Sequence, residues 1–190
     1  LTFDGNYLYV GTGNYPARII KIDPAKMETL ELIWEGNPNQ DGSVNALVSV
    51  GNYIYGGLIQ STAPAKVIKI DPTATTTVTF WQASGPGISS IVRDLIFDGQ
   101  YLYAAGPRRG GVHKIDPITM TTYSTSSFPG YWEKNAAFGL AFDNNFIYAT
   151  LDTAGLVKIN PTTMQEEATS TLEIIFPWWY LIEGGGYLYA

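Results

Sequence analysis

The residues that could carry out nucleophilic, redox or metal chemistry are few in this sequence. Its 190 residues include one histidine and no cysteine. Thiol catalysis, disulfide scaffolds, cysteine-based zinc sites and multi-histidine metal sites are therefore excluded. The histidine, His113, stands where related segments of the chain have Ile20, Ile68 and Val157, which is typical of a buried, hydrogen-bonded substitution. We predict no catalytic residue, no metal site and no cofactor.

Five charged or amide residues are candidates for a ligand-binding site. Arg93 and Asp94 begin one apolar segment, and Asn45 occupies the matching position of the preceding segment. A local ion pair between Arg93 and Asp94 is the alternative interpretation. Arg108 and Arg109 lie between Gly-Pro and Gly-Gly pairs, where they could clamp a carboxylate or phosphate with paired hydrogen bonds or remain a solvated pair.

Aromatic and amide side chains collect in the segments between the expected strands. Tyr131 and Trp132 lie in the long segment 129–138 and complete the predicted binding set. Other such loop residues are Tyr15, Asn37, Asn39, Asp41, Gln60, Glu133, Lys134, Trp178 and Trp179. Loops on a rigid scaffold tend to carry binding residues, and this composition suits a carbohydrate or a protein partner. The alternative is that the rings fill spaces between packed sheets.

The composition restricts the class of protein and its partners. Apolar residues make up 45% and charged residues 15% of the chain, as in ordinary globular domains. A net charge of −6 with only 11 Lys and Arg excludes the dense basic surface that nucleic-acid binding needs. No apolar run approaches the ~20 residues that span a bilayer. The sequence therefore predicts no nucleic-acid partner and no membrane-spanning segment.

An internal repeat positions these residues. One pattern, seen in Phe97-Asp98-Gly99-Gln100-Tyr101-Leu102-Tyr103, returns at 3–9, 49–55, 142–148 and 183–189. A second pattern, Lys-Ile-Asp/Asn-Pro, follows the first at 21–24, 69–72, 114–117 and 158–161. The closing Tyr of the first pattern recurs at steps of 46, 48, 45 and 41 residues. The chain is therefore a tandem array.

Each repeat contains four short segments typical of β-strands. They are rich in β-branched and aromatic residues and end at turn residues such as Gly51-Asn52. One aspartate per repeat stands at the first turn, namely Asp4, Asp98 and Asp143. We expect these aspartates to cap turns, since three separate repeats would hold them too far apart to share one Ca²⁺. The repeated Lys is expected to lie along the sheet of a neighbouring repeat, its blade, with its amine at the rim of that sheet.

Four antiparallel strands every ~40–45 residues are typical of a β-propeller blade. We therefore predict an all-β fold, a single β-propeller region over 1–190 built of four-stranded antiparallel blades. The blades are expected at about 1–36, 44–82, 91–128 and 136–174, with a partial blade at 178–190. The N-terminal segment repeats an inner hairpin and does not supply missing outer strands. The sequence thus predicts about four and a half blades of a larger propeller, with a four-bladed ring plus a tail as the alternative.

The repeat also resembles a known superfamily. The run Tyr7-Leu8-Tyr9-Val10-Gly11-Thr12, followed by Ile20-Lys21-Ile22-Asp23-Pro24, is similar to the repeats of the YVTN, NHL and PQQ-like propellers. The run Lys114-Ile115-Asp116-Pro117-Ile118-Thr119-Met120 resembles the I-D-P-x-T element of that group. The resemblance implies a propeller and no particular reaction, because the group includes enzymes, adhesins and surface-layer proteins.

The sequence favours a non-catalytic binding or assembly module of an extracellular, cell-surface or virion-surface structure. The low charge, the abundant Thr, Tyr and Asn, and the lack of a nucleophile–base set favour this hypothesis. The expected partners are proteins, including further copies of the chain, or carbohydrates. One alternative is a lyase or hydrolase whose carboxylates converge at the channel mouth. The other is an intracellular scaffold for protein interactions, located in the cytoplasm.

Overall fold

The structure, a computed structural model, describes residues 1–62, 64–74, 78–84, 90–106, 111–126, 136–151, 155–170 and 181–189. All regular secondary structure in these ranges is β-strand. Among the same residues no helix is long and apolar enough to cross a membrane. The all-β prediction is therefore confirmed.

The first of two compact units contains residues 1–83 and 90–92. It holds two four-stranded antiparallel sheets, each with its strands in sequence order. The first sheet consists of β1 (Thr2–Phe3), β2 (Leu8–Gly11), β3 (Arg18–Asp23) and β4 (Glu28–Glu35). The second sheet consists of β5 (Asp41–Val50), β6 (Tyr53–Gln60), β7 (Lys66–Ile70) and β8 (Val78–Gln82).

The second unit contains residues 84–89 and 93–190. Its third sheet consists of β9 (Asp94–Phe97), β10 (Leu102–Ala105), β11 (Val112–Asp116) and β12 (Thr121–Thr125). Its fourth sheet consists of β13 (Ala137–Phe142), β14 (Ile147–Leu151), β15 (Gly155–Ile159) and β16 (Glu166–Ser170). A terminal hairpin pairs β17 (Ile182–Gly184) with β18 (Tyr187–Tyr189). The four strands per repeat that the sequence predicts are thus observed, whereas a single region over 1–190 stays a prediction.

An aspartate holds the first turn of three sheets. Asp4 Oδ1 accepts the amides of Asn6 and Tyr7 at 2.8 and 2.7 Å, and Asp4 Oδ2 accepts the Tyr9 hydroxyl at 2.8 Å. The same three hydrogen bonds join Asp98 to Gln100, Tyr101 and Tyr103, and Asp143 to Asn145, Phe146 and Tyr148. The prediction that these aspartates cap turns is confirmed.

The repeated lysine pairs across the strands with an aromatic ring. The Nζ atoms of Lys21, Lys69, Lys114 and Lys158 lie 4.0, 4.2, 4.1 and 3.6 Å from the ring centroids of Tyr7, Tyr53, Tyr101 and Phe146. Such contacts attract the cation to the face of the ring. Lys114 is buried, and its Nζ donates to the carbonyl of Pro161 at 2.7 Å. Lys114 of the third sheet therefore reaches the neighbouring fourth sheet, as expected, while the position of the lysine amines at the rim stays a prediction.

The hairpin between the third and fourth strands places a methionine in the left-handed region. Met27 has φ of 56°, and its amide donates to the carbonyl of Asp23 at 2.8 Å. Met120 and Met164 take the same conformation, with φ of 54° and 57°. A non-glycine residue at positive φ is strained, so three of the sheets share this strained turn.

Candidate functional site

A buried carboxylate organises the loops at one end of the first unit. Asp41 is buried at the start of β5. Its Oδ1 accepts Gln60 Nε2 at 2.6 Å and Lys66 Nζ at 2.8 Å, and its Oδ2 accepts the amide of Asn37 at 2.8 Å. One side chain therefore ties together the segments before β5, at the end of β6 and at the start of β7. We call these segments, with the β2–β3 loop, the loop end of the first unit.

The charge of Asp41 is maintained by its donors. Burial alone would raise the pKa of this carboxyl group. The hydrogen bonds from Lys66, Gln60 and the Asn37 amide outweigh burial and hold the pKa of Asp41 below its ordinary value. The Lys66 side chain is only 14% exposed. Asp41 and Lys66 therefore form an ion pair that is largely withdrawn from water.

Backbone hydrogen bonds fix the loops around this carboxylate. The Ala17 amide donates to the Asp41 carbonyl at 3.0 Å, and the Gly36 amide donates to the Ala17 carbonyl at 2.8 Å. The Ser61 amide donates to the Gln40 carbonyl at 2.9 Å. A Cβ atom on Gly36 would lie 2.5 Å from the Cβ of Asp41, so only glycine fits there. The loop end is therefore a rigid frame.

An aromatic and amide surface lies on this frame. Tyr15 is 59% exposed, and its hydroxyl oxygen lies 2.5 Å from where a Cβ on Gly42 would be, so the ring leans on bare backbone. The segments joined by Asp41 also carry exposed uncharged side chains, those of Asn37, Asn39, Gln40 and Ser61, and the exposed ion pair of Arg18 and Glu35 stands next to them in β3 and β4. Ser61 Oγ also donates to the Asn39 carbonyl at 2.9 Å. We use the name Tyr15 surface for five residues, Tyr15, Asn37, Asn39, Gln40 and Ser61.

The predicted candidates Arg93 and Asp94 lie together in the second unit. Asp94 begins β9, and its Oδ1 and Oδ2 accept the amides of Leu95 and Leu140 at 2.8 and 2.7 Å. The Arg93 guanidinium carbon lies 4.2 Å from the ring centroid of Phe138. Asp94 therefore joins the first strands of the third and fourth sheets, while Arg93 stacks on an aromatic ring.

Burial perturbs both Asp94 and His113. Burial raises the pKa of Asp94 to about 6, against the lowering effect of the two backbone amides. Burial lowers the pKa of His113 to about 4, and its Nδ1 lies 3.2 Å from Thr125 Oγ1. Within the described ranges, no three His, Asp or Glu side chains are grouped as metal ligands. These two groups therefore hold structural hydrogen bonds.

The other predicted candidates are placed differently. Asn45 is exposed in β5, within a bulge where the pairing register shifts between Val44 and Ala46. Asn45 belongs to the first unit, and Arg93 and Asp94 belong to the second. Arg108, Arg109, Tyr131 and Trp132 lie outside the described residues, so their binding role stays a prediction.

Sequence reasoning named Asp41 and Gln60 only as loop residues and missed the Asp41–Gln60–Lys66 cluster. The regular register set by the Val50–Tyr53 pair would place Gln60 opposite Ser43. Two bulges in β5 move Gln60 opposite Asp41 instead. The available signal is three polar residues at the edges of apolar strands, but the bulges hide their proximity from residue counting.

Comparisons with known proteins give the fold and not a family. No protein-family profile and no curated protein matches the sequence. A chain of the "Mitotic Checkpoint Complex" matches with a TM-score of 0.69 and 19% identity, over 90% of this chain and 51% of that one. The β-propeller domain of Myceliophteria thermophila Cps50 (Swd1) matches with a TM-score of 0.69 and 12% identity, over 94% and 55%. Kuenenia stuttgartiensis hydrazine synthase matches with a TM-score of 0.69 and 12% identity, over 90% and 48%.

The fold is that of a partial β-propeller, as the repeat predicts. The match covers 51%, 48% and 55% of these similar chains, so this chain spans about half of their length. The four-stranded antiparallel sheets of both units are the corresponding blades.

Proposed function

We propose that this chain is a non-catalytic binding module that holds a protein partner on the Tyr15 surface. The observation that carries the proposal is an exposed tyrosine on a set of loops that buried Asp41 fixes and that also carry exposed amide and serine side chains. Tyrosine is enriched in protein interfaces, and Tyr, Ser and Asn dominate antibody binding loops. A rigid frame also lowers the entropy lost on binding.

The internal hydrogen bonds of two carboxylates, Asp41 and Asp94, support a non-catalytic role. Asp41 is held by Lys66, Gln60 and a backbone amide, and both oxygens of Asp94 accept backbone amides. A general base must reach a proton of its substrate within hydrogen-bond distance. All four oxygens of these two carboxylates accept hydrogen bonds from within the protein, which favours a structural role for both side chains.

Crosslinking from two positions tests the proposal. A photo-crosslinking amino acid placed at Tyr15 should capture a partner protein that the same group at Ile118, which is also exposed, does not capture. The captured protein is then purified and titrated against the wild type, Tyr15→Ser and the control Ile118→Ser. We expect Tyr15→Ser to weaken binding at least tenfold, since tyrosines that a partner covers in a complex are frequent hot spots. Ile118→Ser should leave binding unchanged. Equal affinities for all three proteins would overturn the proposal.

The finer predictions of the sequence belong to this proposal. We infer that the repeat is of the YVTN, NHL and PQQ-like type, which the quoted motifs support. If the ligand is a carbohydrate, titration of the wild type, Tyr15→Ser and Ile118→Ser with oligosaccharides would show binding that only Tyr15→Ser weakens. The predicted extracellular or surface location stays a prediction.

A further inference from the structure

The outermost strands of the four sheets differ in how their free edges are protected. β4, β8, β12 and β16 are each the last strand of a four-stranded sheet, and within the described residues no further strand pairs with them. A free strand edge can pair with another chain, and natural proteins prevent this with charged side chains and bulges. β4 has two bulges and three glutamates, β16 has one bulge and two glutamates, and β12 has one bulge.

β8 lacks both forms of protection. It pairs with β7 in unbroken register, from Val78 opposite Ile70 to Gln82 opposite Lys66. Its sequence, Val-Thr-Phe-Trp-Gln, contains no charged residue and no proline. Among the outer strands that the structure describes, β8 is therefore the one whose edge carries neither a bulge nor a charge.

An exposed aromatic ring lies beside this edge. Phe80 is 54% exposed, although its cross-strand partner Ile68 is buried in the core cluster of the first unit. The next residue, Trp81, lies on the other face of the sheet and is buried. A strand added alongside β8 would therefore cover the Phe80 ring, while Trp81 already holds β8 in place.

The sequence of β8 favours pairing with an identical strand. The run from Thr75 to Gln82, T-T-T-V-T-F-W-Q, is uncharged, lacks Gly and Pro, and consists mostly of residues that favour strands. Segments of this composition pair with copies of themselves. Antiparallel pairing about a two-fold axis at Phe80 sets Phe80 opposite Phe80 of the second copy, and no like charges meet. Two copies of β4 or β16 would instead bring glutamates into one sheet, which like-charge repulsion disfavours.

We propose that two copies of this chain associate through antiparallel pairing of β8 with β8, which joins their second sheets into one continuous sheet. Both copies use the same strand, so the interface is isologous and closes at the dimer. Pairing of five residues buries much less than the ~1,200 Å² of a standard stable interface, so the dimer forms at high protein concentration. β8 contains none of the five residues of the Tyr15 surface, and the association is independent of the proposed function.

Sedimentation velocity from micromolar to millimolar protein tests the association. The wild type should show a concentration-dependent dimer and no larger species. Phe80→Lys places a cation at the centre of the pairing, opposite its own copy, and should weaken dimerisation at least tenfold. Phe80→Tyr keeps an aromatic ring beside the edge and should dimerise like the wild type. Ile118→Lys adds the same charge at an exposed turn position and should also dimerise like the wild type.

A distance measurement tests the antiparallel register. The chain has no cysteine, so Gln82→Cys provides a single attachment site for a nitroxide label at an exposed end of β8. In the proposed dimer the two labelled positions are four residues apart along adjacent strands, roughly 14 Å. Dipolar broadening of the electron paramagnetic resonance spectrum should appear where the dimer forms, and an excess of unlabelled wild type should remove it. Absence of broadening at those concentrations would contradict the antiparallel pairing.

Further variants keep the test decisive. Circular dichroism checks that each variant is folded, and Thr79→Lys, at an exposed position of β8, replaces Phe80→Lys if that variant unfolds. A wild type that stays monomeric at millimolar concentration, or a folded β8 lysine variant that dimerises like the wild type, would overturn the inference. Neither result bears on the proposed function, which is tested by partner binding of Tyr15→Ser, a variant that should dimerise like the wild type.

Discussion

Replacing Asp41 by Asn should destabilise the first unit by about 3 kcal/mol. The asparagine keeps the shape of the side chain but removes the charge that faces Lys66, whose side chain is 14% exposed. Removing one partner of a buried ion pair costs ~3–5 kcal/mol, because the other charge stays buried and uncompensated. The partial exposure of Lys66 places the expected loss at the lower end of this range.

Urea unfolding at neutral pH measures this loss. The matched control is Glu35→Gln, which removes the exposed ion pair of Glu35 with Arg18, at 2.5 Å and with side chains 45% and 48% exposed. Exposed pairs contribute ~0.2–1 kcal/mol. The double variant Asp41→Asn/Lys66→Met should recover part of the loss, because it removes the stranded charge.

The pH dependence gives an independent check on Asp41. Its pKa in the folded protein lies below the ordinary value of 3.8. The stabilisation from its ionised form is therefore present above the unfolded pKa and is lost as the pH falls through the folded pKa. The difference in unfolding free energy between the wild type and Asp41→Asn should shrink in acid. A difference below ~1 kcal/mol at neutral pH, the value of an exposed pair, would refute the reasoning.

Three further predictions concern the turns and Asp94. Val50→Asp should add about 0.5–1 kcal/mol of stability in urea unfolding, because it installs the turn aspartate that the second sheet lacks; a loss of stability would contradict the turn geometry. Asp94→Asn should reveal the raised pKa of Asp94, about 6, because the stability that protonated Asp94 contributes is complete below the unfolded pKa and is lost as the pH rises through 6. The unfolding free energy of the wild type should therefore exceed that of Asp94→Asn by ~2 kcal/mol less at pH 7 than at pH 4. A difference that stays constant or widens with pH would refute the assignment. Met164→Ala should cost ~2–4 kcal/mol and Met27→Ala less than ~0.5 kcal/mol in dilute protein, since only Met164 is buried; equal losses would argue against the packing.

The strands and their faces could be predicted because the sequence repeats its turn chemistry. The recurring Tyr and Lys fall opposite each other, as in the Tyr9–Lys21 and Tyr55–Lys69 pairs. The isoleucines one residue away then lie on the other face. Alternation with period two fixes these faces once the turns are placed.

The positions of the lysine amines could not be predicted from the repeat. Lys114 is buried against Tyr101, and its amine donates to the Pro161 carbonyl of the neighbouring fourth sheet. An aromatic ring and a carbonyl together replace the water that the ammonium group loses. The sequence pattern shows the ring but does not show which carbonyl the next sheet supplies.

The candidate site was harder to predict than the fold. Sequence reasoning chose Arg93, Asp94 and the matching Asn45 because they stand at an innermost strand, beside the expected central channel. Asn45 lies in a bulge of β5, and Asp94 accepts backbone amides. The cluster around Asp41 depends on two bulges that no residue count reveals. Irregular pairing, which positions functional loops, is also what a simple period cannot encode.

Residue-resolved amide hydrogen exchange tests most directly whether Asp41 holds the loop end rigid. The amides of Ala17, Asn37 and Ser61 donate within the loop end. They should exchange about as slowly as the strand amides of the first unit, and Asp41→Asn should accelerate the exchange of Ala17 and Asn37 while strand amides of the second unit stay protected. Fast exchange of these three amides in the wild type, at the rate of exposed turn amides, would contradict a preformed binding surface.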